Sequence, residues 1–464
     1  MVARVKLKIE KLGRIQRAEL DVRPLTVLIG PNNTNKTWTA YVLYGLLQSL
    51  SRTLSAARFD VSPDEQDAAD AATLERMRGL LHPLFDALKA DPAPARVECS
   101  LSVPSLFEKT DQRYIHNLKA KSICVLLGLP DDQLQGASAR LELLRNEFVT
   151  SLVSLELVFE RPLNRLQVRA NRHWSPGGGK PEASSALVSY VDDAWTEQKI
   201  LALVHTQLWE LIKHVVVFPA ERNGLLPVWP LLPASDDLEV PIPVADFGRF
   251  LGLAQAAAPM GTMSAPQARL SALLKKAVGG EIAYVTEGGR KRLMFRTAGA
   301  EIPLQAAASL SRAVAGLSIY IERFFQPDDV LIIDELEMNA HPQAQVALTE
   351  FVTALVNAGV RVVLTTHSPY VVDHLNNLME ASNTPAERRE ELARKFAMGT
   401  ASSFISPDKV SVHAVQEQSP DGEVLVREVL NRETGLIDWS TFSGVSEVVT
   451  NLYGDILRAS EEEA

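Results

Sequence analysis

The chain has 464 residues, of which 46% are hydrophobic and 22% charged, and its mean hydropathy is close to zero. This composition is typical of a globular protein and excludes a disordered, collagen-like or disulfide-rich class, and the two cysteines, Cys99 and Cys124, lack the spacing of zinc ligands. The net charge of −10 argues against a surface made for nucleic acid, although the first sixty residues alone carry about +6.

No apolar segment is long enough to span a bilayer. The first residues alternate between charged and apolar side chains instead of forming the apolar core of a signal peptide. We therefore expect a cytoplasmic protein without a membrane partner. The last ninety residues carry about −8 and include the acidic run 461–463, which is typical of a solvated terminus.

The N-terminal part predicts two strands, a loop and a helix. Residues 5–10 and 18–23 alternate in polarity and predict two strands, the first of them at a sheet edge. Residues 25–29 are an apolar run that ends at Gly30, which is typical of a buried parallel strand. Residues 36–50 have the apolar spacing of a helix.

The middle of the chain has a different pattern. Residues 51–205 contain polar helical patches and a Gly/Pro-rich stretch at 175–181, and we interpret them as a mostly helical insertion between two halves of a nucleotide-binding core. A Pro-rich irregular stretch follows at 224–266, and residues 281–304 have the pattern of a hairpin.

Alternating strands and helices follow. Residues 329–333 predict a second buried strand, 342–357 a helix and 360–366 a third strand, and this order favours a parallel α/β sheet. The tail from 370 predicts a helical run to 397, a strand pair around the turn at 420–423 and a final helix near 445–458.

The loop after the first buried strand reads Gly30-Pro31-Asn32-Asn33-Thr34-Asn35-Lys36-Thr37, which nearly matches the phosphate-loop pattern G-x-x-x-x-G-K-[ST]. Such a loop directs successive backbone N–H groups at phosphate oxygens, so we expect Gly30, Asn32, Asn33 and Asn35 to lie around a nucleotide. Lys36 would neutralise the terminal phosphates and Thr37 would ligate Mg²⁺. Asn35 replaces the second glycine, and Asn tolerates left-handed backbone, so the loop is expected to close with altered nucleotide binding. A chance match is the alternative for so short a pattern.

Two further strand ends carry polar side chains. The run Val330 to Ile333 is followed by Asp334, which would hold the metal's water shell, and Glu335, which would polarise an attacking water as general base. A simple helix cap is the alternative for this acidic pair. His367 follows the third strand and suits a γ-phosphate sensor, although a lone histidine is usually structural. Because ligands bind at the carboxyl ends of parallel strands, we expect these groups to converge.

These motifs resemble the ABC-type ATPase heads of the SMC/RecF/OLD group, and in particular its stand-alone members, usually labelled AAA-family ATPases. The segment from Asp334 to Gln343 is similar to that group's D-E-P-E-x-x-L-H-P-x-x-Q, and Thr366 to Tyr370 resembles its switch histidine segment. The stretch from Phe218 to Arg222 resembles a recurring P-A-x-R, which makes Arg222 a candidate nucleotide-site residue. The departures are Asn35 for glycine, Leu336 for proline, Ala340 for leucine and a signature segment without the usual glycine pair.

The resemblance implies a fold and a division of the chain. The fold is an α/β P-loop NTPase head of the ABC type, with a mixed or parallel sheet, flanking helices and an N-terminal antiparallel β-subdomain, plus the mostly helical insertion. We expect the first half of the head, with the phosphate loop, at 1–50 and the insertion at 51–205. The second half of the head is expected at 206–380 and a C-terminal α/β extension at 381–464.

The resemblance also implies cofactors and partners. It implies ATP and Mg²⁺ bound between two heads of a homodimer or a higher homo-oligomer, with Ser309 of one subunit contacting the γ-phosphate held by the other. Ser311 is the second choice, and a helix N-cap is the alternative role for Ser309. Such a protein would be a nucleotide-controlled switch for a separate effector protein, in bacterial anti-phage defence.

Several other functions stay open. Many relatives carry a Toprim nuclease, but no apolar strand of the tail ends in D-x-D, and the acidic turn at 421–423 is expected to be only a hairpin turn. The second hypothesis is a RecF-like DNA-binding ATPase in repair or maintenance, and a transporter ATPase is the third. A protein that binds ATP and barely hydrolyses it is a further alternative, because of Asn35.

Overall fold

The structure is a computed structural model, and it describes most of the chain with gaps. The described residues are 5–49, 78–89, 96–102, 113–130, 132–144, 152–160, 165–172, 184–190, 200, 215–228, 240–256, 263–287, 290–417, 423–438, 448, 450–456 and 458.

A ten-stranded sheet organises the molecule, with the order β10-β14-β15-β3-β16-β17-β2-β1-β6-β5. Its strands are β1 (Val5–Leu12), β2 (Ile15–Val22), β3 (Leu25–Ile29), β5 (Arg113–Lys119), β6 (Ser138–Leu144), β10 (Val215–Phe218), β14 (Val330–Ile333), β15 (Arg361–Thr366), β16 (Val410–Glu417) and β17 (Val424–Glu428). The first five strands in this order, β10 to β16, run parallel, and the remaining pairs are antiparallel except β17 with β2.

The parallel strands are mostly apolar because both faces of the sheet are covered. In β3, Leu28 packs into one hydrophobic core, whereas Leu25, Val27 and Ile29 pack into the other. β14 divides in the same way between the two cores. Because successive side chains of a strand point to opposite faces, two covered faces require an unbroken apolar run, as the sequence predicts for 25–29 and 329–333.

Helices cover these two faces. They are α1 (Lys36–Ser49), α2 (His82–Lys89), α3 (Ala120–Leu127), α4 (Arg222–Val228), α5 (Ile242–Ala256), α6 (Ala265–Val278), α7 (Ser309–Arg323), α8 (Pro342–Asn357), α9 (Pro369–Ser382) and α10 (Ala386–Ala393). Helix α1 packs with α3 in one core, and α7 and α8 pack in the other. The helices expected at 36–50 and 342–357 are therefore present, and the parallel α/β fold is confirmed.

The region 51–205 differs from the mostly helical prediction. Its described residues form two helices and six strands, of which β4 (Arg96–Ser102), β7 (Leu152–Glu160), β8 (Arg165–Arg172) and β9 (Ser184–Tyr190) make a separate antiparallel sheet in the order β4-β7-β8-β9. The other two strands, β5 and β6, extend the ten-stranded sheet. The physical signal was a period of two, since Leu155, Leu157 and Phe159 alternate with Glu156 and Val158. Two-residue alternation predicts a strand, whereas these leucines were interpreted as a helical face.

Two other differences concern the sheet edges. Strand β1 is not an edge strand, because it pairs with β2 on one side and β6 on the other. The C-terminal extension is part of the ten-stranded sheet, because β16 pairs with β3 among the parallel strands.

The hairpin expected at 281–304 is a three-stranded sheet of β11 (Glu281–Glu287), β12 (Arg290–Thr297) and β13 (Ala300–Pro303). Among the described residues, no helix is long and apolar enough to cross a membrane.

Strand β16 carries one buried titratable group, His413. It is 1% exposed, and its Nε2 lies 3.2 Å from the carbonyl oxygen of Asp21. Burial lowers the pKa of His413 to about 4, while the charges of Asp21, Arg432 and Arg23 act on it in opposite directions. The imidazole is therefore neutral in the native protein near pH 7.

Candidate functional site

The phosphate loop joins β3 to α1, where the sequence predicts it. Lys36 is 4% exposed, and its Nζ donates to the carbonyl oxygen of Pro31 at 2.5 Å and approaches Oγ1 of Thr34 at 3.4 Å. Burial lowers the pKa of Lys36 to about 8, against the opposing effect of Asp334 and two glutamates. The ammonium group thus lies within the curve of its own loop, where phosphate oxygens would replace these two acceptors.

Gly30 is required by the close approach of a neighbouring strand. Its φ is 145°, and a Cβ at this position would lie 2.1 Å from the carbonyl oxygen of Val415 on β16. No other residue type fits such a contact without moving the backbone. The first glycine of the loop therefore fixes how β3 and β16 lie together.

Asn35 takes the left-handed backbone that a glycine usually provides. Its φ is 66°, and that of Asn33 is 62°. The Asn35 side chain turns away from the loop, and its Oδ1 accepts from the backbone N–H of Arg14 at 3.0 Å. Arg14 Nη1 in turn donates to the carbonyl oxygen of Asn33 at 3.1 Å and forms an ion pair with Glu417 at 2.7 Å. The loop is thereby tied to the β1–β2 turn, while Asn32 is exposed.

Asp334, directly after β14, meets the phosphate loop. Its Oδ1 accepts from Thr37 Oγ1 at 3.1 Å and from Thr365 Oγ1 at 2.5 Å. Burial raises the pKa of Asp334 to about 6, although both hydroxyl groups favour the charged form. A buried carboxylate beside a threonine hydroxyl is a set of hard oxygen donors, which is the kind that Mg²⁺ prefers. Thr37 and Asp334 therefore fit a magnesium ion.

The backbone N–H and the backbone carbonyl oxygen of Glu335 are both held by hydrogen bonds. Its φ of 50° is left-handed, its N–H donates to Thr365 Oγ1 at 2.9 Å, and its carbonyl oxygen accepts from Arg222 Nη2 at 2.8 Å. Its Oε1 lies 3.8 Å from Nε2 of His367. Strained backbone of this kind persists only where surrounding bonds impose it.

His367 is fixed by a second acid of the same motif. Glu337 accepts from the backbone N–H of His367 at 2.5 Å and from Thr366 Oγ1 at 2.8 Å. Burial and the nearby Lys36 lower the pKa of His367, whereas a hydrogen bond with the backbone of Gly30 raises it. The imidazole is therefore neutral near pH 7 and lies between the phosphate loop and Glu335.

Arg222 lies beneath the carboxylates instead of lining the phosphate cradle. It is 3% exposed, and its Nη1 donates to the carbonyl oxygens of Asp334 at 2.6 Å and Pro219 at 3.0 Å. Its Nε donates to the carbonyl oxygen of Ala313 at 3.0 Å. Burial lowers its pKa, while the acids of the site act in the other direction. The contacts of Arg222 are therefore those of a positioning residue.

Ser309 is the first residue of α7, and it is not an N-cap. The N-cap position is Ala308, which has no side-chain cap bond. Ser309 is partly exposed and its Oγ accepts from Arg312 at 3.3 Å, whereas Ser311 is 2% exposed. Only the first of the two serines is therefore accessible to a second molecule.

The predicted residues thus fall into two groups. Lys36, Thr37, Asp334, Glu335 and His367 converge at the carboxyl ends of β3, β14 and β15. Arg222 contacts the backbone of Asp334 and Glu335, whereas Ser309 lies at the start of α7 and contacts Arg312. Sequence reasoning missed Thr365, Glu337 and Arg14. The first two stand inside the motifs themselves. Thr365 is two residues before His367, and Glu337 is the second glutamate of Asp334-Glu335-Leu336-Glu337, whereas no sequence signal pairs Arg14 with Asn35.

The parallel strand order, the phosphate loop and the carboxylates at the strand ends are together the features of a P-loop NTPase fold. Residues 260–372, which include α7, β14 and β15, match the family model described as AAA ATPase domain (AAA_15). The matched segment carries the acidic motif and His367. No curated protein matches the chain.

Three solved structures of low similarity are SMC heads. One is an SMC head bound to the C-terminal winged-helix domain of ScpA, with 12% identity, a TM-score of 0.36, and coverage of 94% of this chain and 99% of the other. The second is the SMC head domain from Thermotoga maritima, with 9% identity, a TM-score of 0.33, and coverage of 92% and 99%. The third is an SMC head with an extended coiled coil bound to the C-terminal domain of ScpA from Pyrococcus furiosus, with 11% identity, a TM-score of 0.35, and coverage of 97% and 99%.

Proposed function

We propose that this ATPase is a nucleotide-controlled switch in which two copies close on two ATP molecules. The observation that carries this proposal is the convergence of Lys36, Thr37, Asp334, Glu335 and His367 around one loop. Lys36 and Thr37 begin α1 after the loop that follows β3, and the other three residues directly follow β14 and β15, so all five lie at the carboxyl ends of three adjacent parallel strands, which is where α/β sheets bind ligands.

Each of these side chains has a task that its geometry supports. Lys36 already lies inside the loop and would move its Nζ from carbonyl oxygens to the terminal phosphates. Thr37 and Asp334 would hold Mg²⁺, which would supply charge neutralisation at those phosphates. His367 lies between the loop and Glu335, so its neutral ring would contact the γ-phosphate.

Glu335 would act as the general base. A carboxylate oxygen of Glu335 takes the proton of a water molecule whose oxygen attacks the γ-phosphorus. The bond from that phosphorus to the bridging oxygen breaks, and ADP and inorganic phosphate are the products. The fixed backbone of Glu335 supports this role, because a general base must be positioned before its proton affinity matters.

Ser309 supports a head-to-head dimer. It is accessible at the N-terminus of α7, where backbone N–H groups and the helix dipole favour an anion. A γ-phosphate bound in one subunit and contacted by Ser309 of the other would join two surfaces. Closure would then depend on ATP, and hydrolysis would release it.

An effector and a defence role extend this proposal. The four-stranded sheet β4-β7-β8-β9 is separate from the ATPase sheet and would serve as a docking lobe for a separate effector protein in bacterial anti-phage defence. A nuclease encoded beside this chain that copurifies with it only in one nucleotide state would support this role. If the same amount of nuclease copurified in every nucleotide state, the result would contradict the switch.

A RecF- or SMC-like DNA-binding ATPase is the alternative, with the basic N-terminal strands as its surface. The strand register places an acid opposite a base at three positions, Lys6 with Asp21, Lys8 with Glu19 and Glu10 with Arg17. Such alternation gives a surface of low net charge, which disfavours phosphate-backbone binding there. Salt-sensitive binding of duplex DNA would nevertheless favour the alternative.

The test is the oligomeric state with and without nucleotide. Glu335→Gln keeps the shape of the site and lacks the base, so we expect this variant to sediment as a dimer with Mg·ATP and to separate without it. Lys36→Ala is the control and should bind too little ATP to dimerise. A Glu335→Gln protein that binds Mg·ATP by calorimetry yet stays monomeric would overturn the proposal, and equal turnover of native and Glu335→Gln protein would remove Glu335 from its role.

A further inference from the structure

Hydrogen bonds on both sides of the adjacent residues Arg222 and Asn223 connect Ser309 to the backbone of Glu335. At one end, Arg312 Nη2 donates to Ser309 Oγ at 3.3 Å, and Arg312 Nη1 donates to the carbonyl oxygens of Gln305 and Ala307 at 3.0 and 3.1 Å. The Arg312 guanidinium therefore binds the segment that leads into α7. Any shift of that segment would move Arg312.

Asn223 receives the next bond. Arg312 Nε donates to Asn223 Oδ1 at 2.8 Å, and this contact joins two helices that lie 89 positions apart in the sequence. Asn223 is partly buried, so this bond is sheltered from competing water. Neither Asn223 nor Arg312 has been placed in the nucleotide site.

Arg222, the adjacent residue, completes the connection. Its guanidinium donates to the carbonyl oxygens of Asp334 and Glu335 on one side and of Ala313 in α7 on the other. The first turn of α4 thus holds α7 by two bonds, one from each of two consecutive residues. The same turn fixes the carboxylates at the end of β14.

Glu335 is sensitive to such a connection because its backbone is left-handed and depends on outside bonds. A displacement of Arg222 would therefore alter where the Glu335 side chain points. The structure places the accessible serine and the general base at opposite ends of one short path of paired polar groups. Paired groups of this kind can have two discrete arrangements, which is what coupling between sites requires.

We propose that Asn223 is a positioning residue that couples the docking of a partner's phosphate on Ser309 to the placement of Glu335 in the same subunit. This inference rests on the proposed dimeric switch and adds to it a dependence of hydrolysis in one head on the docking of the other head. Asn223 acts through Arg312 and Arg222.

The experiment compares Asn223→Ala with a matched control, Asn376→Ala. Asn376 is also partly buried, and its Oδ1 accepts from the backbone N–H of Ile437 at 2.9 Å, away from the site. Couplings between sites typically change an equilibrium by about 5- to 150-fold. We expect Asn223→Ala to lower kcat at least about fivefold, with KM for ATP and ATP-dependent dimerisation of the Glu335→Gln form within about twofold of the parent. Asn376→Ala should change none of them.

Two further variants separate coupling from damage. Asn223→Asp keeps the acceptor oxygen for Arg312, so its kcat should stay within about threefold of the parent, even if Asn223→Ala folds poorly. Ser309→Ala should lower kcat as well, and the double variant Ser309→Ala/Asn223→Ala should be no slower than the slower single variant, because both act on one path.

The outcomes are distinct. If the parent does not dimerise with ATP, the proposed function and this inference fail together. If it dimerises and Asn223→Ala turns over like Asn376→Ala, or if the two effects on kcat multiply in the double variant, the coupling is overturned while the dimeric switch stands. An equal loss of kcat in Asn223→Ala and Asn223→Asp would also overturn it.

Discussion

Replacing Asn35 with glycine restores the usual phosphate-loop pattern, and we expect this change to leave ATP binding almost unaltered. The Asn35 backbone already has the left-handed φ of 66° that a glycine would adopt. Its side chain points to the β1–β2 turn, where it accepts from the Arg14 N–H at 3.0 Å, and does not enter the space within the loop. The asparagine therefore does not obstruct a phosphate.

The magnitude follows from two opposing effects. Losing one partly buried neutral hydrogen bond costs about 0.5–1.5 kcal/mol, and removing a side chain from left-handed backbone returns up to about 1 kcal/mol in the case of asparagine. The free energy of unfolding of Asn35→Gly should thus change by less than about 1 kcal/mol. Asn35→Ala loses the same hydrogen bond and keeps the left-handed strain of about 1–2 kcal/mol. The alanine variant should therefore be less stable than the glycine variant by about the energy of that strain. If the loop relaxes to relieve the strain, the alanine variant should lose ATP affinity instead.

The assay is calorimetric titration of both variants with a Mg²⁺ complex of a non-hydrolysable ATP analogue, together with denaturant unfolding. We expect the dissociation constant of Asn35→Gly to lie within about threefold of the parent, and its turnover likewise. A dissociation constant at least tenfold lower than that of the parent, or a turnover at least tenfold higher, would refute the reasoning, because the Asn35 side chain would then hinder the nucleotide.

Three further changes test the fold around the site. Gly30→Ala should lower the free energy of unfolding by about 3 kcal/mol or more, because the new Cβ would lie 2.1 Å from a carbonyl oxygen of β16. Gly224→Ala has open space around the new Cβ and should be neutral or slightly stabilising. Equal unfolding free energies of the two variants in a denaturant titration would contradict this expectation. The unfolded chain protonates His413 from pH 6.5 downward and the native state only near pH 4, so stability should fall by about 3 kcal/mol across this window, and His413→Leu should lack this component; identical pH profiles would disprove it. Tyr44→Phe removes the 2.7 Å bond from the buried hydroxyl to Asp246 and should cost about 1.5–3 kcal/mol of unfolding free energy with ATP affinity unchanged, whereas a loss below about 0.5 kcal/mol would show that this bond contributes little.

The sequence predicts the nucleotide edge well because local rules govern it. An unbroken apolar run, a phosphate-loop pattern and a helical period predict β3, the loop and α1 in order. The acidic pair after β14 and the histidine after β15 follow from the rule that parallel strands end at one edge. These features can therefore be predicted from the local sequence alone.

Features that depend on distant partners were not predictable in the same way. The bond between Asn35 and Arg14 joins positions 21 apart, and the contacts of Arg222 join it to residues 91 to 113 positions away. A P-A-x-R stretch shows that an arginine is present, but whether its guanidinium binds phosphate or carbonyl oxygens is decided by tertiary packing. The strands of the 51–205 region were misjudged for a different reason, since a leucine-rich segment fits both periods until its alternation is counted.

The central position of β16 has a consequence for how the protein is made. The phosphate-loop strand β3 pairs with β15 and β16, so Leu25 lies beside Val362 and Val410. A ribosome must therefore synthesise almost four hundred residues after the nucleotide loop before both neighbours of that strand exist. Pairing over such separations is slow, so β3 lacks its partners while those residues are made, and chaperones would have to shield this apolar strand during that interval.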